Sequence, residues 1–337
     1  MQLTQCLMSM RLLIVILFTT SVISCKKDGQ TGSVTPKPNI YLTGYGSYGN
    51  NLVGAVYWKN GVLIPLNGGQ NATGIAFSRS DIYIAGNAGY AYPQGGYGNE
   101  AVFWKNGIMQ KLGNPPSYAN AIAVSGTDIY IAGMAMVNNQ YEAVYWKNGV
   151  IYPLGDAYST ANAITISGQD VYIAGTTGNN GTIATYWKNG IPVLLETSVE
   201  SKANALLVSG NDVYVAGNYR NTVTTTDAVY WKNGIRTSLY PGNSDTLVTS
   251  TSATGIALSG NDVHITGYIN SIDCVYWKNG SMTRLNNPAA YMNTSSNVNA
   301  IVVSDQNVYI SFNSADYWIN GNTLHVGDGY ATSIAVQ

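Results

Sequence analysis

Short apolar runs separated by turn residues fill the chain from residue 39 to residue 337. One recurring run is Ala-Val-Tyr-Trp, as in residues 143–146, and Lys-Asn-Gly follows it. Two others are of the types Ala-Ile-Ala-Val and Val-Tyr-Ile-Ala, as in residues 121–124 and 171–174. Apolar runs of this length bounded by Gly, Asn, Asp and Ser are typical of β-strands. The pattern therefore predicts an all-β fold.

The same unit occurs seven times. Its tryptophan recurs every 41 to 46 residues, at Trp58, Trp104, Trp146, Trp187, Trp231, Trp277 and Trp318. Periods of this length with strand-rich content are typical of β-propeller blades. Each unit is expected to form four strands. Strand a is the Ala-Ile-Ala-Val run, strand b the Val-Tyr-Ile-Ala run, strand c the Ala-Val-Tyr-Trp run, and strand d the run after Asn-Gly.

Turn residues and prolines predict how the strands of a blade are arranged. Asn-Gly between strands c and d favours a tight hairpin, because both residues tolerate positive φ. Ser-Gly-x-Asp joins strand a to strand b at the same end, which we call the hairpin face. The b–c and d–a connections are expected to be long loops at the opposite end, the variable-loop face. Pro65, Pro153 and Pro192 fall in strand d, and proline belongs on a sheet edge. Strand d should be outermost, and strand a should line the axis.

The two ends of the repeat region predict a closed ring. The first run, residues 39–44, is a strand b, and the last, residues 331–336, is a strand a. Together they complete one blade, whose inner strand comes from the C-terminus. An open solenoid is the alternative, but it would carry polar capping repeats, which the sequence lacks. We expect a seven-bladed β-propeller of four-stranded antiparallel blades over residues 39–337.

The N-terminal segment is predicted to be a targeting signal. Arg11 precedes an apolar run, residues 12–18, that is too short to span a bilayer comfortably, so residues 1–24 are interpreted as a signal peptide. The Val-Ile-Ser-Cys sequence that ends at Cys25 resembles the lipobox of bacterial lipoproteins. That resemblance implies cleavage before Cys25 and acylation of this residue; the alternative is an ordinary signal peptide that contains a cysteine. Residues 25–38 are expected to be a lipidated tether.

Composition narrows the class of protein. Charged residues are 10% of the chain and the net charge is -1, which argues against a nucleic-acid partner because that needs a basic face. Hydrophobic residues are 45%, which excludes disorder by low hydrophobicity. Only Cys274 lies in the repeat region, so no internal disulfide can form there. We expect a monomer that contacts the membrane through its lipid anchor alone.

Across residues 39–337 the chain resembles the propeller-type surface lipoproteins of Bacteroides-like bacteria. Lys26-Lys27-Asp28, directly after the predicted anchor, is similar to their surface-export signals. The resemblance implies a protein of the outer membrane, lipid-anchored at the cell surface. The blade motif lacks the Trp-Asp dipeptide of WD40 repeats, the paired glycines of kelch repeats and the Asp-box of sialidases. No known activity is therefore carried over.

The sequence offers little catalytic or metal-binding chemistry. His264 takes the strand-b position of a tyrosine and is expected in the core, and His325, in strand d, is expected to be solvated. Metal-binding spacings are missing from the sequence, so we expect no cofactor and no metal. Residues 44–49 match Gly-x-Gly-x-x-Gly, but a dinucleotide site needs a helix after that motif. We interpret this segment as a flexible loop.

Charged residues recur at three positions of the unit. An acid in the a–b turn is expected to make turn hydrogen bonds: Asp81, Asp128, Asp170, Asp212 and Asp262, with Asn39 and Asn307 in the other blades. Acids also precede strand c, at Glu100, Glu142, Asp227 and Asp273. Paired carboxylates can hydrolyse glycosidic bonds, whereas strand-end solvation is the simpler interpretation. A lysine ring at the hairpin face could bind acidic polymers or only solvate the hairpins: Lys59, Lys105, Lys147, Lys188, Lys232 and Lys278.

Two groups of residues are candidates for ligand binding. The first is a polar position just before strand a, which should encircle the axis or cap the strands: Thr73, Asn120, Asn162, Asn204, Thr254, Asn299 and Thr332. The second is tyrosine outside the repeat positions. Tyr90, Tyr92 and Tyr97 fall in the b–c loop of the second blade, residues 87–99, and Tyr118 falls in the adjoining d–a loop. Further tyrosines at that end are Tyr45, Tyr48, Tyr141, Tyr158, Tyr219, Tyr268 and Tyr291.

These observations favour a binding protein over an enzyme. Aromatic faces beside neutral amides and hydroxyls suit a glycan or a surface protein, and function is usually carried by loops on a rigid scaffold. Tyr90, Tyr92, Tyr97 and Tyr118, with Asn120, Asn162 and Asn204, are the predicted ligand-binding residues. An envelope assembly or scaffold protein and a polysaccharide hydrolase or lyase are the alternatives, because propellers host all three functions.

Overall fold

The computed structural model describes residues 37–49, 52–178, 182–222, 225–240, 248–286 and 298–337. Internal contacts divide the chain into residues 1–37 and residues 38–337. The predicted signal peptide and Cys25 lie outside the described residues. Within the described part, no helix combines the length and the apolar character needed to cross a membrane.

The described residues form seven antiparallel sheets of four strands each. The strands of the first four sheets are β1 (Ile40–Tyr48), β2 (Leu52–Lys59), β3 (Val62–Pro65), β4 (Gly69–Ser78), β5 (Asp81–Ala91), β6 (Tyr97–Lys105), β7 (Ile108–Lys111), β8 (Ser117–Ser125), β9 (Asp128–Val137), β10 (Gln140–Lys147), β11 (Val150–Ala157), β12 (Thr160–Ser167), β13 (Asp170–Thr177), β14 (Ile183–Lys188) and β15 (Ile191–Leu194). The remaining strands are β16 (Ser201–Ser209), β17 (Asp212–Arg220), β18 (Thr226–Lys232), β19 (Ile235–Ser238), β20 (Thr251–Ser259), β21 (Asp262–Ile269), β22 (Asp273–Lys278), β23 (Ser281–Arg284), β24 (Val298–Ser304), β25 (Asn307–Phe312), β26 (Asp316–Ile319), β27 (Asn322–His325) and β28 (Tyr330–Val336).

Each sheet is one blade, and the predicted strand order is confirmed. Blade 1 has the order β28-β1-β2-β3, and blades 2 to 7 follow in chain order from β4 to β27. Strand a is innermost in every blade, and strand d, which carries Pro65, Pro153 and Pro192, is outermost. Each inner strand contacts the inner strands of both neighbouring blades, and β28 contacts β24 and β4. The ring is therefore closed by the C-terminal strand, as the sequence predicts.

Seven hydrophobic clusters, each shared by two neighbouring blades, form the core of the described residues. In one of them, Leu112 of blade 2 packs with Ile122 and Trp146 of blade 3. Six of the repeated tryptophans are at most 1% exposed, and Trp318 is 9% exposed. The tryptophan of each unit thus packs one blade against the next, because a large flat ring fills the space between two twisted sheets.

At the hairpin face, side chains form hydrogen bonds between the a–b turn and the c–d turn. Asn106 and Gly107 have φ of 51° and 83°, as the predicted Asn-Gly hairpin requires. Asn106 Oδ1 accepts the backbone N–H of Ile82 at 2.9 Å, and Asn106 Nδ2 donates to Asp81 Oδ1 at 2.8 Å. The same contacts recur around the ring, so the a–b acid joins the two hairpins of its blade.

The prediction of long b–c loops is wrong. These connections are two to five residues long, because strands b and c extend past the repeat core and pair almost to the turn. The segment 44–49 is not a flexible loop either. Residues up to Tyr48 belong to β1, in which Gly44 pairs with Val56 and Gly46 pairs with Gly54. The d–a connections do vary, from two to thirteen residues.

Candidate functional site

The seven polar residues predicted just before strand a lie inside it, each at a β-bulge. In blade 3 the register shifts between Ala119 and Ala121, which leaves Asn120 as the extra residue. The same shift recurs in all seven blades. A bulge re-aims its side chain, and here it aims one polar residue per blade toward the axis. We call this set the bulge ring: Thr73, Asn120, Asn162, Asn204, Thr254, Asn299 and Thr332.

A glycine opposite the bulge makes room for it. A Cβ on Gly175 would lie 1.9 Å from the carbonyl oxygen of Thr160, which precedes the bulge on the paired strand. Equivalent glycines in five other blades show separations of 1.8 to 2.2 Å, and Phe312 takes the position in blade 7. In those six blades only a residue without a side chain permits this approach. The repeated glycine of strand b is therefore a sequence signal of the close-packed bulge, although blade 7 keeps its bulge opposite Phe312.

The bulge ring links neighbouring blades. Asn120 Nδ2 donates to the carbonyl of Ala161 in blade 4 at 2.9 Å, and five other members make the equivalent bond at 2.6 to 2.9 Å. Thr254 is the exception, since its hydroxyl donates to Thr266 O of its own blade at 3.3 Å. The predicted strand-capping bonds to backbone are thus made across blades. All seven side chains also line an axial cavity of about 240 Å³.

Tyrosines from blades 2 and 3 come together at the variable-loop face. The rings of Tyr90 and Tyr92 meet edge to face with centroids 5.4 Å apart, and those of Tyr118 and Tyr141 are 6.3 Å apart. Burial raises the pKa of Tyr141, and electrostatic interaction with Tyr118 and then with Tyr92 raises it further. All four are half-buried. We call them the tyrosine cluster.

Three members of the tyrosine cluster stand on paired strands, not on loops as predicted, and Tyr92 lies in a short turn. Strands β5 and β6 pair up to Ala91 and Tyr97, and residues 92–96 form the turn, closed by Tyr92 N donating to Gly96 O at 3.0 Å. Tyr118 lies in β8. Tyr92 rests over Gly98, where an added Cβ would lie 2.2 Å from the Tyr92 hydroxyl. The backbone and the glycine therefore fix the ring of Tyr92.

Other predicted tyrosines lie elsewhere. Tyr97 is 89% exposed and is not among the ring contacts of the described residues, so it does not belong to the cluster. Tyr45 stacks on Tyr330 in blade 1 at 4.8 Å, and Tyr291 lies outside the described residues. The sequence placed Tyr141 only among the scattered tyrosines, because its contact with Tyr118 depends on the register of three strands.

Two methionines adjoin the tyrosine cluster. Met134 pairs with Tyr118 across β8 and β9, and Met136 pairs with Tyr141 across β9 and β10. Residues two apart on β9 share a face with their partners, so these four side chains form one half-buried wall of blade 3. Sequence analysis missed the methionines. They could have been found from the repeat, because two methionines occupy strand-b positions at which the other blades have other residues.

Three of the four acids before strand c are held by a partner and are not merely solvated. Glu100 is 5% exposed and its Oε2 lies 2.6 Å from Lys111 Nζ on the neighbouring strand. Asp273 makes the equivalent ion pair with Arg284. Partial burial raises the pKa of Asp227, and Asn221 donates to its carboxylate at 2.8 Å. Each of these three acids stands in a different blade, and its partner belongs to that same blade.

Outside the tyrosine cluster, a group of charged and aromatic residues lies in blade 5. The Arg236 guanidinium lies over the ring of Tyr219 at 3.8 Å and donates to Glu196 Oε1 at 2.8 Å. Trp231 Nε1 donates to the same carboxylate oxygen at 3.1 Å. Glu196 is thus bound by two donors, which leaves it poorly suited to act as a nucleophile or base.

Five of the six lysines of the ring are paired with an acid of their own blade. Lys105 Nζ lies 2.9 Å from Asp81 Oδ2 and 5.3 Å from the centroid of the Tyr83 ring. Four further blades repeat the ion pair at 2.7 to 3.0 Å. Hydrogen bonds from Asn106 and Lys105 lower the pKa of Asp81. Apart from Lys59, the ring is therefore a set of paired charges and not a free basic surface.

Both histidines have specific partners. His264 is 3% exposed, as expected for a core residue, and its Nδ1 lies 2.6 Å from the Tyr276 hydroxyl. Its Nε2 is buried without a hydrogen-bond partner among the described residues. His325 is not merely solvated, since its Nδ1 lies 2.6 Å from Oδ1 of the buried Asp316.

We expect His264 to make the propeller acid-sensitive. Burial and then Lys278 lower the pKa of His264 below its usual 6.5, so the unfolded chain takes up a proton before the folded chain does. Unfolding is therefore favoured as the pH falls below 6.5, by about 1.4 kcal/mol for each unit of depression. His264→Tyr restores the residue of the other six blades and should reduce the loss of melting temperature between pH 8 and pH 5. All other residues are the same in the two proteins, so the difference between their pH profiles reports on residue 264. Parallel pH profiles of the two proteins would contradict this assignment.

The strand order and the closed ring define the chain as a seven-bladed β-propeller. Its sequence matches no protein-family model and no curated protein. Similar solved structures include the computationally designed Ika8 protein, at 18% identity over 85% of this chain and 81% of that chain, with a TM-score of 0.41. YCF48 bound to D1 peptide is 11% identical over 88% and 87%, with a TM-score of 0.46. The β-propeller domain of the Trilobed protease from Pyrococcus furiosus is 12% identical over 77% and 85%, with a TM-score of 0.43. At TM-scores below 0.5, these likenesses carry no argument about this chain.

Proposed function

We propose that this propeller is a non-catalytic binding protein of the bacterial cell envelope that captures a neutral glycan on its variable-loop face. The observation that carries the proposal is the tyrosine cluster, which consists of two pairs of half-buried rings on neighbouring blades. A sugar ring offers a C–H face that packs on an aromatic ring, and hydroxyls that bond to phenols. Sites of this kind combine apolar and aromatic walls with few polar groups.

Preorganisation supports the proposal. A tyrosine side chain has few rotamers to lose, and Tyr92 is already held by its turn and by Gly98. Binding to rings that are fixed before the ligand arrives avoids the cost of ordering them. Three of the four acids before strand c support a non-catalytic protein over the alternative of a polysaccharide hydrolase, since each of the three is held by a partner in its own blade.

Removal of the tyrosine cluster should strongly weaken glycan capture without unfolding the protein. We expect the combined change of Tyr90, Tyr92, Tyr118 and Tyr141 to Ala to weaken binding to the best glycan on an array by on the order of 100-fold, because two dominant rings at about 1.4 kcal/mol each suffice for that loss. Tyr152→Ala is the matched control, since Tyr152 is 42% exposed on the outer strand β11. Undiminished glycan binding by the quadruple variant would refute the site. If the wild type bound a surface protein but no glycan, the surface formed by the tyrosine cluster with Met134 and Met136 would be assigned to a protein partner.

Cys25→Ser should release the protein from membranes. Acyl chains contribute about 0.8 kcal/mol for each buried CH₂, and no other membrane contact is proposed. In detergent-free fractionation, we expect the wild type in the membrane pellet and the variant in the supernatant, with equal melting temperatures. A variant that stays in the pellet would show that the anchor is not Cys25.

A further inference from the structure

The axial cavity has its own hydrogen-bonding chemistry. All seven inner strands line it, and the bulge ring supplies four amides and three hydroxyls. Its volume of about 240 Å³ lies below the roughly 300–1,000 Å³ of sites for drug-sized ligands. The cavity therefore suits a ligand of about one ring.

The bonds between blades decide which groups remain for a ligand. Each asparagine of the ring donates one amide hydrogen to the next blade, and each threonine donates its single hydroxyl hydrogen to a backbone carbonyl. Asn204 donates its second amide hydrogen to Ser252 Oγ at 3.3 Å. The four amide oxygens, the second amide hydrogens of the other three asparagines and the threonine lone pairs are left over. A ligand in this cavity must both donate and accept hydrogen bonds. It must offer more hydrogen-bond donors than the ring has left.

The lining argues against an ion. No charged side chain lines the cavity, and no cluster of three or more His, Cys, Asp or Glu occurs in the described part of the chain. An ion enclosed by neutral groups would lose hydration without a compensating charge. Ile75, Ile122, Ile256 and Ile301 add apolar surface beside the polar ring. Polar groups and aliphatic carbon together match a neutral polyhydroxylated molecule.

We infer that the axial cavity is a second binding site that takes one neutral sugar unit, held by the bulge ring. This inference rests on the proposed glycan capture and specifies it. Tyr118 lies two residues before Asn120 on β8, so the tyrosine cluster and the cavity adjoin. A glycan chain that packs on the tyrosines has its end unit at the axis.

Thr254 allows the cavity to be filled without breaking a link between blades. It is the ring member whose hydroxyl bonds within its own blade. Thr254→Phe and the less bulky Thr254→Gln place side-chain volume into the cavity. Because six links between blades persist in every variant, melting temperatures should stay within a few degrees of the wild type.

The test is ligand-observed NMR of the full-length chain with glucose, galactose, mannose and N-acetylglucosamine, each as the free monosaccharide. We expect at least one sugar to bind the wild type and the control variant Tyr152→Ala alike, and its affinity to fall at least tenfold in both Thr254→Phe and Thr254→Gln. The tyrosine-cluster quadruple variant should still bind that monosaccharide. A wild type that binds none of the four, or filled variants that bind as well as the wild type, would overturn the axial site. Because glycan capture on the array is scored separately, loss of the axial site leaves the proposed function standing, and the converse also holds.

Discussion

A chain that lacks residues 331–337 should fail to fold cooperatively. The deletion removes nearly all of β28, the inner strand of blade 1, with the buried Ala331 and Ile334. It also removes the Thr332 hydroxyl that donates to Ala72 of blade 2 at 2.7 Å. The inner edge of β1 would then be unpaired and open to aggregation. We expect a loss of more than about 5 kcal/mol, the lower limit of the stability of many domains.

Circular dichroism melts and gel filtration measure this effect. Deletion of Gln337 alone is the control, because it keeps β28 and removes one pair of backbone bonds with Asn39. We expect the control to melt within a few degrees of the wild type. If the chain without residues 331–337 melted like the wild type, the blades would form an open array and not a closed ring.

Gly175→Ala should destabilise the propeller by about 3 kcal/mol, the upper end of the usual cost of overpacking. The new Cβ would lie 1.9 Å from the carbonyl oxygen of Thr160 and 3.0 Å from Cα of Ala161. Both are backbone atoms, so the strands must separate or the bulge must be lost. Either outcome displaces Asn162 from its bond to Ala203.

Gly74→Ala is the matched control for this prediction. Gly74 also lies in a strand next to a bulge, but a Cβ there would be 3.4 Å or more from its nearest neighbours, which is ordinary contact. Alanine already occupies the equivalent position in other blades, as at Ala121 and Ala163. We expect its denaturation midpoint to be close to the wild type. Equal midpoints for both variants would contradict the packing of the bulge.

The propeller could be predicted from the sequence because its signals are local and repeated. Asn-Gly sets the c–d hairpin through the backbone of two residues, and Pro65 reports an edge through a missing donor. The position of the bulge could not be predicted in the same way. The extra residue at Asn120 follows from the register of β8 against β9, and a register belongs to two strands together. The same limit applies to the segment 44–49, whose glycines suggested a loop although they pair with β2.

The candidate site was predicted in part. An excess of tyrosine drew attention to Tyr90, Tyr92 and Tyr118, and the structure brings all three into one cluster with Tyr141. Tyr97 was grouped with them because it is close to them in sequence. It lies in the last residue pair of its hairpin, where a side chain can point away from the next blade. The ion pair of Lys105 with Asp81 joins two turns that are 24 residues apart in the chain. The sequence therefore showed the repeated lysines and the repeated acids, but not that they pair.

The most direct test of the account is hydroxyl-radical footprinting of the protein with and without the glycan that it captures best. Methionine and tyrosine oxidise readily, and the chain carries both inside and outside the site. The account predicts protection of Tyr92, Tyr118 and Tyr141 and of the adjoining Met134 and Met136. It predicts unchanged oxidation of Met109 and Met282, which lie on outer strands β7 and β23. Protection of Met109 and Met282 with no change at the tyrosine cluster would place the ligand on the outer strands and contradict the account.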